Sequence, residues 1–564
     1  MLRIRLSTGV LFVLLSVSSF SLPSFTAAQA CNPATPPLCA SEVQAIIDTA
    51  IAVTDQPLVV AVVDRVGNPL AVFRKSGAPT QVAGNFSGEA LLSNPRYDAA
   101  EVALSLARTG AFFSHNQAPL SSRTVRFISG IHFPPAVRFT PNAALYGIEN
   151  TNRGCEFNAT FNDGKEVPRA KALSGLSCNS SDRRGCSLGI TTGKLNFFDK
   201  DPVDEDIVAV NGGGIPLFKG NTAVGGVGVV GNFSPNLNAS NDFAELVAFL
   251  AAFQPKKTGV LPVPAFFVRD LRERVFIDGI RLPFVNRDVA NLAVKGKLPK
   301  AINPDPAPTG ELIFPAQGGP RDGQCFDRDE NNGVCRAAPE GYLIGPKAGS
   351  KLSVEEVDRI VQNSLRTANE TRAAIRFPRG QKTKMMISVA DVDGSLLAVF
   401  RMPDATIFSI DVATAKSRNV IYFSGADANV RDDLPGVPQD TSISNRTLSF
   451  GSQPLYPPGI DTGGEGPFFR SLYIPDTITP CTQGTQAPNP NQSGIVFFPG
   501  SLPLYRNGEI IGGLGISGDG VEQDDFVTAA GAVGFEPPDK IRADQFFIRG
   551  ARLAYLKFPR NATK

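Results

Sequence analysis

A chain of 564 residues is long enough for two or more domains, each with its own buried core. Its 55 basic and 53 acidic residues are spread without blocks, giving a formal charge of +2 and no basic stripe suited to a nucleic acid. The 39 Phe, against 8 Tyr and no Trp, point to dry cores and exclude a ligand platform built on Trp stacking.

Residues 1–30 read as a secretory signal: Arg3 and Arg5 make a basic start, Val10 to Phe20 an apolar run, and Ala28-Gln29-Ala30 a small-x-small cleavage site. That run is too short to span a bilayer and no later segment is long enough, so no transmembrane segment is expected. Cys31 follows the site, but Ala28 stands where a lipobox carries Leu, so the expectation is a soluble exported protein, periplasmic or secreted. All eight cysteines lie beyond the cleavage point, and an even count in an exported chain favours disulfides. Cys31 with Cys39 and Cys325 with Cys335 are the local pairs. A Cys178–Cys186 pair would leave Cys155 and Cys481 to bridge distant parts of the chain. No CxxC spacing suggests structural zinc.

The mature chain opens with an amphipathic helix from Ser41, with Val43, Ile46 and Ile47 on one face. Two apolar strands around a tight turn at Gly67 follow, in the stretch Val62 to Arg74. A second helix spans Tyr97 to Phe113, with Ala99, Val102, Ala103, Leu106 and Ala107 on its buried face. Then come Arg123-Thr124-Val125-Arg126-Phe127, Phe133-Pro134-Pro135, and a long insertion rich in Gly, Pro, Asn and Cys. The chain regains pattern at Pro216 to Asn221 and Gly225 to Gly231, with a helix at Asp242 to Phe253 and a late motif from Phe276 to Leu282.

This order then returns. Ser353 to Val361 repeats the first helix, Val389 to Arg401 repeats the hairpin with Gly394 at its turn, and Ile410 to Phe423 the second helix. Arg446 to Phe450, Tyr456-Pro457-Pro458, Pro503 to Gly508, Gly512 to Gly518, a helix at Asp524 to Phe535, and Phe547 to Leu553 complete it. Asn507-Gly508 between apolar runs is a hairpin signal. Helix, hairpin, helix, insertion, hairpin, helix predicts an α+β module, an antiparallel sheet packed with helices, used twice. The expected organisation is a signal peptide at 1–30, a first module at 31–294, a Pro/Gly-rich linker at 295–349 and a second module at 350–564.

The V-V-D-x-x-G-x-x-L-A hairpin, the Ala-rich helix and the G-I-P-L…G-G-x-G-[VI]-x-G segment resemble the GlcG/HbpS-like haem-binding family. In the second copy Ala413-Thr414-Ala415-Lys416-Ser417 also resembles that family's A-x-x-K-A helix start, whereas the first copy has Leu106 where Lys416 sits. The resemblance covers about two thirds of the mature chain and implies two profilin-like modules, a small-molecule ligand, haem as its expected identity, and self-association. The two long insertions depart from the compact family pattern.

Haem needs an apolar slot, basic groups for its propionates and a His, Met, Cys or Tyr ligand to iron. His115 and His132 are the only histidines. His132, before Phe133 and near Arg123 and Arg126, suits a pocket edge, although the second copy has Leu455 there and a lone His is more often structural. Tyr456, equivalent to Phe133, is the second copy's own candidate. Arg123 and Arg446 recur in both copies, where a planar guanidinium can orient a propionate or equally pair with a carboxylate to fix a loop. Asp327, Asp329 and Asn331, between Cys325 and Cys335, could direct oxygens towards Ca²⁺. The following Gly333 is one place late for an EF-hand, and a metal-free, disulfide-clipped turn is the alternative.

The glycine runs formally contain G-x-G-x-x-G at Gly226, Gly228, Gly231 and at Gly513, Gly515, Gly518. A dinucleotide fingerprint requires those glycines to open a helix after a strand; here a strand runs through them, which reads as close packing. No G-x-S-x-G or HExxH occurs, and two histidines cannot equip both copies with a nucleophile triad. The leading expectation is an exported protein that binds haem or a similar planar ligand. The rivals are a structural or assembly protein that kept the fold without a pocket, and an enzyme acting on a small organic acid.

Overall fold

The computed structural model describes residues 37–83, 96–129, 212–231, 237–254, 257–267 and 338–563 apart from 426–429 and 461–462. Shorter described stretches are 145–148, 151–152, 155, 162, 276–277, 280–285, 310–314, 327–328 and 335–336. Among these residues the chain forms two antiparallel sheets, each packed with helices in a profilin-like α+β arrangement.

The first half contributes α1 (Ala40–Ala52), β1 (Leu58–Asp64), β2 (Pro69–Lys75), α2 (Ala99–Phe113), α3 (Ser122–Ile128), β3 (Gly214–Lys219), β4 (Thr222–Gly231), α4 (Leu237–Ala252), β5 (Val260–Leu261) and β6 (Gly310–Phe314). Its sheet runs β6-β2-β1-β4-β3-β5. The second half contributes β7 (Gly341–Ile344), α5 (Val354–Glu370), β8 (Met386–Ala390), β9 (Leu396–Arg401), α6 (Phe408–Phe423), α7 (Asn445–Gly451), β10 (Ser501–Arg506), β11 (Glu509–Ser517) and α8 (Val521–Gly531). Its sheet runs β7-β9-β8-β11-β10, the same order without a counterpart of β5.

Local chemistry sets these elements. Ser353 caps α5 by accepting from the Glu356 amide while the Glu356 carboxylate accepts from the Ser353 amide, a reciprocal box that satisfies two helix-end donors. The two-residue turn between β10 and β11 has Asn507 at φ 52° and Gly508 at φ 84°, both in the left-handed region that this hairpin requires. The turns at Gly67 and Gly394 share a brace: Arg108 Nε donates to the Gly67 carbonyl at 3.1 Å, and Arg418 Nε to the Gly394 carbonyl at 2.9 Å. Both arginines are fully buried.

The glycine runs lie inside β4 and β11, where a helix presses on the sheet. A Cβ at Gly228 would lie 1.9 Å from the Ala103 carbonyl oxygen of α2, and one at Gly515 would lie 2.2 Å from that of Ala413 in α6. Close helix–sheet packing is therefore what these glycines serve.

Residues 295–349, read from sequence as a linker, supply an edge strand to each sheet. β6 pairs with β2 and β7 with β9, and each ladder carries a bulge facing Val72 or Val399. Strands this short, surrounded by Pro and Gly, have too few residues to show a period in sequence. The halves meet along a broad seam. The Phe113 ring stacks on Phe408 at 4.2 Å, Tyr146 on Tyr473 at 4.9 Å, and the Ile407 amide donates to the Phe112 carbonyl at 3.1 Å. Cys155 and Cys481 form a disulfide across it. Cys39 is also disulfide-bonded.

Candidate functional site

Two recesses among the described residues place buried polar side chains beside open space. The first is an open cleft of about 640 Å³ in the second half, between the β10–β11 turn, the end of α6 and the segment before α5. Ile421, Ile510, Ile541 and Pro538 give it apolar walls, and Lys351 and Lys540 stand among its lining residues. Tyr505 also lines it, only 4 % exposed, with the Ser442 and Ser424 hydroxyls beside its phenol. Burial pushes the Tyr505 phenol up to about 12. The cleft lies within the about 300–1,000 Å³ usual for small-molecule and cofactor sites.

The second recess is a cavity of about 50 Å³ at the seam. Phe113, Phe408 and Phe498 wall it, and His115, Asp519 and Asp524 supply its polar face. His115 Nδ1 accepts from the Gln117 amide at 3.2 Å. Burial, helped by Arg376 and Arg65, holds the imidazole well below the usual histidine range, so the ring is neutral with its proton on Nε2. That Nε2 lies 3.7 Å from Asp519 Oδ1, too far for a hydrogen bond. Asp519 Oδ2 accepts from Arg376 Nε and from the Lys384 amide. Arg376 also bonds Asp404 and Gln117, tying the halves together.

Asp524, at the start of α8, pairs through Oδ2 with Lys416 Nζ at 3.1 Å. The ammonium also donates to the Ile516 carbonyl at 2.7 Å and sits 4.8 Å from the centre of the Phe498 ring. Burial pushes the Asp524 carboxyl up to about 7 despite the lysine, and lowers Lys416. The corresponding place in the first half is apolar. Gly213 (φ 117°) and Gly500 (φ 115°) occupy matching positions, a Cβ on Gly213 approaching Ala244 and one on Gly500 approaching Asp524. Leu106 and Ala244, both buried, thus stand where the second half has Lys416 and Asp524.

The sequence-derived candidates are distributed differently. Arg123 Nε bonds Glu245 at 2.9 Å, and Arg446 Nε bonds Asp525, equivalent ion pairs joining α3 to α4 and α7 to α8. Tyr456 is buried and donates to the Ile548 carbonyl at 3.0 Å. Neither recess includes any of these three. His132, Asp329 and Asn331 lie outside the described residues, and Asp327 is described only as backbone in a short strand pairing with Arg336. Among the described residues no cluster of three or more His, Cys, Asp or Glu side chains is arranged to hold a metal ion. Sequence reasoning missed Tyr505, although its exchange with Phe218 in the first half was as visible as that of Tyr456 with Phe133. It missed the seam cavity because residues from both halves build it.

Residues 355–533 match the model of the family described as haem degrading protein HbpS-like. That match lies wholly within the second half of the chain. Among curated proteins, the chain is 25% identical over 204 residues to the corrinoid adenosyltransferase PduO of Citrobacter freundii, covering 35% of this chain and 44% of that protein. It is 26% identical over 154 residues to PduO of Salmonella typhimurium, covering 27% and 33%. The matches therefore span less than half the length of either relative. Among solved structures, a PduOC:heme complex is 20% identical, with 33% of this chain and 94% of that chain covered and a TM-score of 0.22. Protein ORFY of Klebsiella pneumoniae gives 17%, 34% and 95% with a TM-score of 0.22. A Streptomyces reticuli HbpS double mutant gives 15%, 36% and 97% with 0.21. The matched segment contains the whole Lys416–Asp524 pair and most of the 640 Å³ cleft. No described helix is long and apolar enough to cross a membrane.

Proposed function

We propose that the protein is an exported binder of haem or a similar planar macrocycle, and that the cleft beside Tyr505 in the matched segment receives it. The observation that carries this reading is a buried tyrosine lining a 640 Å³ recess in the segment that matches a haem-related family. Among the described lining residues Tyr505 is the side chain of a type that holds haem iron, and Lys540 is a cation suited to a propionate, while Lys351 pairs with Glu509 at 3.4 Å and Asp440 also lines the cleft. The seam cavity, at about 50 Å³, is too small for a macrocycle. Haem would supply a redox-active iron and its own Soret absorption; the protein's part is to seat the ring and neutralise its carboxylates. Export is supported by the basic-apolar-small pattern of residues 1–30 and by the Cys155–Cys481 disulfide, which persists in oxidising compartments. The matching strand order of the two sheets supports a tandem origin, in which the first half keeps the fold and carries Phe218 in place of Tyr505.

Haem titration of the mature protein should give a saturable Soret shift. Tyr505→Phe copies the first half and should preserve the fold, yet weaken binding at least about tenfold, equivalent to roughly 1.4 kcal/mol. No Soret shift with the wild-type protein would remove the haem reading. An unchanged affinity in Tyr505→Phe would remove Tyr505 from it.

A further inference from the structure

The seam cavity carries an inference that uses none of the residues of the proposed haem cleft. Three buried polar atoms, His115 Nε2, Asp519 Oδ1 and Asp524 Oδ1, have no hydrogen-bond partner among the described residues, and all three side chains line the same cavity. Buried polar atoms are ordinarily satisfied, so three at one place mark a location that expects an occupant. Their chemistry defines it. The neutral His115 ring, accepting at Nδ1 from Gln117, offers one N–H donor, and the two carboxylates offer two acceptors.

Charge narrows the choice further. Arg376 neutralises Asp519 and Lys416 neutralises Asp524, so the cavity has no surplus positive charge for an anion. The oxygens facing it would repel a carboxylate. A metal ion is disfavoured because the His115 nitrogen that faces the carboxylates carries a proton. At about 50 Å³ the cavity is a third of the 150 Å³ that admits benzene, and suits a molecule of about three or four heavy atoms.

We propose that the seam cavity is a second binding site, for a small neutral molecule carrying an H₂N–C=O group. The amide nitrogen would donate to Asp519 Oδ1 and Asp524 Oδ1, and the carbonyl oxygen would accept from His115 Nε2. The 3.7 Å gap between His115 and Asp519 is closed by an intervening group within hydrogen-bond distance of both. The phenyl rings of Phe113, Phe408 and Phe498 exclude larger or N-alkylated amides. Only this chain's pairing of unlike halves makes the site, because His115 comes from the first half and both aspartates from the second.

Acetamide is the probe, with acetate and N,N-dimethylacetamide as controls, read by saturation-transfer NMR on the full mature chain. The expected result is transfer to acetamide and none to either control. The double variant Lys416→Leu/Asp524→Ala copies the pair that the first half already accommodates, so its fold is expected to survive; in it the acetamide signal should fall at least about fivefold. His115→Phe should abolish it, circular dichroism confirming the fold. No transfer to acetamide in the wild-type protein, meaning that water alone occupies the cavity, overturns the proposal. Equal transfer to acetamide and acetate, or an undiminished acetamide signal in the folded double variant, overturns it too. A Soret shift on haem titration is unaffected by any of these outcomes.

Discussion

Replacing Lys416 alone by Leu is expected to lower stability by about 3–5 kcal/mol, because it strands a buried carboxylate. Asp524 is 2 % exposed, and with Lys416 removed one of its oxygens loses its ion-pair partner while the other already lacks a hydrogen bond. Asp524→Ala alone should be costly for the mirror reason, since it leaves a fully buried ammonium held by the Ile516 carbonyl and the Phe498 ring. The double variant Lys416→Leu/Asp524→Ala should instead lie within about 1–2 kcal/mol of the wild type or exceed it, as replacing a whole buried pair by apolar groups often does. Equilibrium denaturation of the four proteins gives the coupling energy directly. If the two single losses simply add in the double variant, the pair is not coupled as described.

The same pair sets a pH dependence. The Asp524 carboxyl is raised from 3.8 to about 7, so between those values the folded chain binds more protons than the unfolded one. Stability must then fall as pH rises through that window, and the fall is complete above it. Asp411, raised to about 6 by burial, contributes a slope of the same sign. The double variant loses the Asp524 part and keeps that of the other raised aspartates, so its stability should vary less between pH 4 and 7 than the wild type's. Parallel melting profiles across that range would show that Asp524 does not titrate there.

Opening the Cys155–Cys481 bridge is expected to cost about 2–5 kcal/mol, since it joins residues 326 apart and restrains a long stretch of the unfolded chain. The bridge also pins a short segment that lies against the second half. There the Asn152 amide donates to Asp411 at 2.8 Å, its side chain donates to the Phe408 carbonyl at 3.1 Å, and Tyr146 stacks on Tyr473. Cys155→Ser/Cys481→Ser should therefore lower the melting temperature and open new protease cleavage near Asn152. Calorimetry and limited proteolysis against the wild type give the measurement, and unchanged values in both would deny the bridge a structural role.

Much of the fold was readable because it rests on local rules repeated twice. The Ser353–Glu356 cap, the Asn507-Gly508 turn and the glycines that admit α2 and α6 each declare themselves within a few residues. The site was less readable, for reasons of distance. Lys416 stood out in its helix start, but its partner Asp524 lies 108 positions on, and spacing alone pairs no charges. His115 carries no local signal; what gives it meaning is Asp519 across the seam, a contact between halves that comparison of one half with the other conceals. Arg123 and Arg446 hold equivalent places because each half joins its two helices by an ion pair, to Glu245 and to Asp525.

The two strands borrowed from residues 310–344 decide how the polypeptide can be divided. A fragment beginning at residue 350 would leave β9 without its β7 neighbour, and one ending at 294 would do the same to β2. Each would present a row of unsatisfied backbone donors and acceptors, a template for joining another chain. A cut between 314 and 341 keeps both sheets whole at that margin, so two halves produced together should reassemble across the seam only when severed inside that interval.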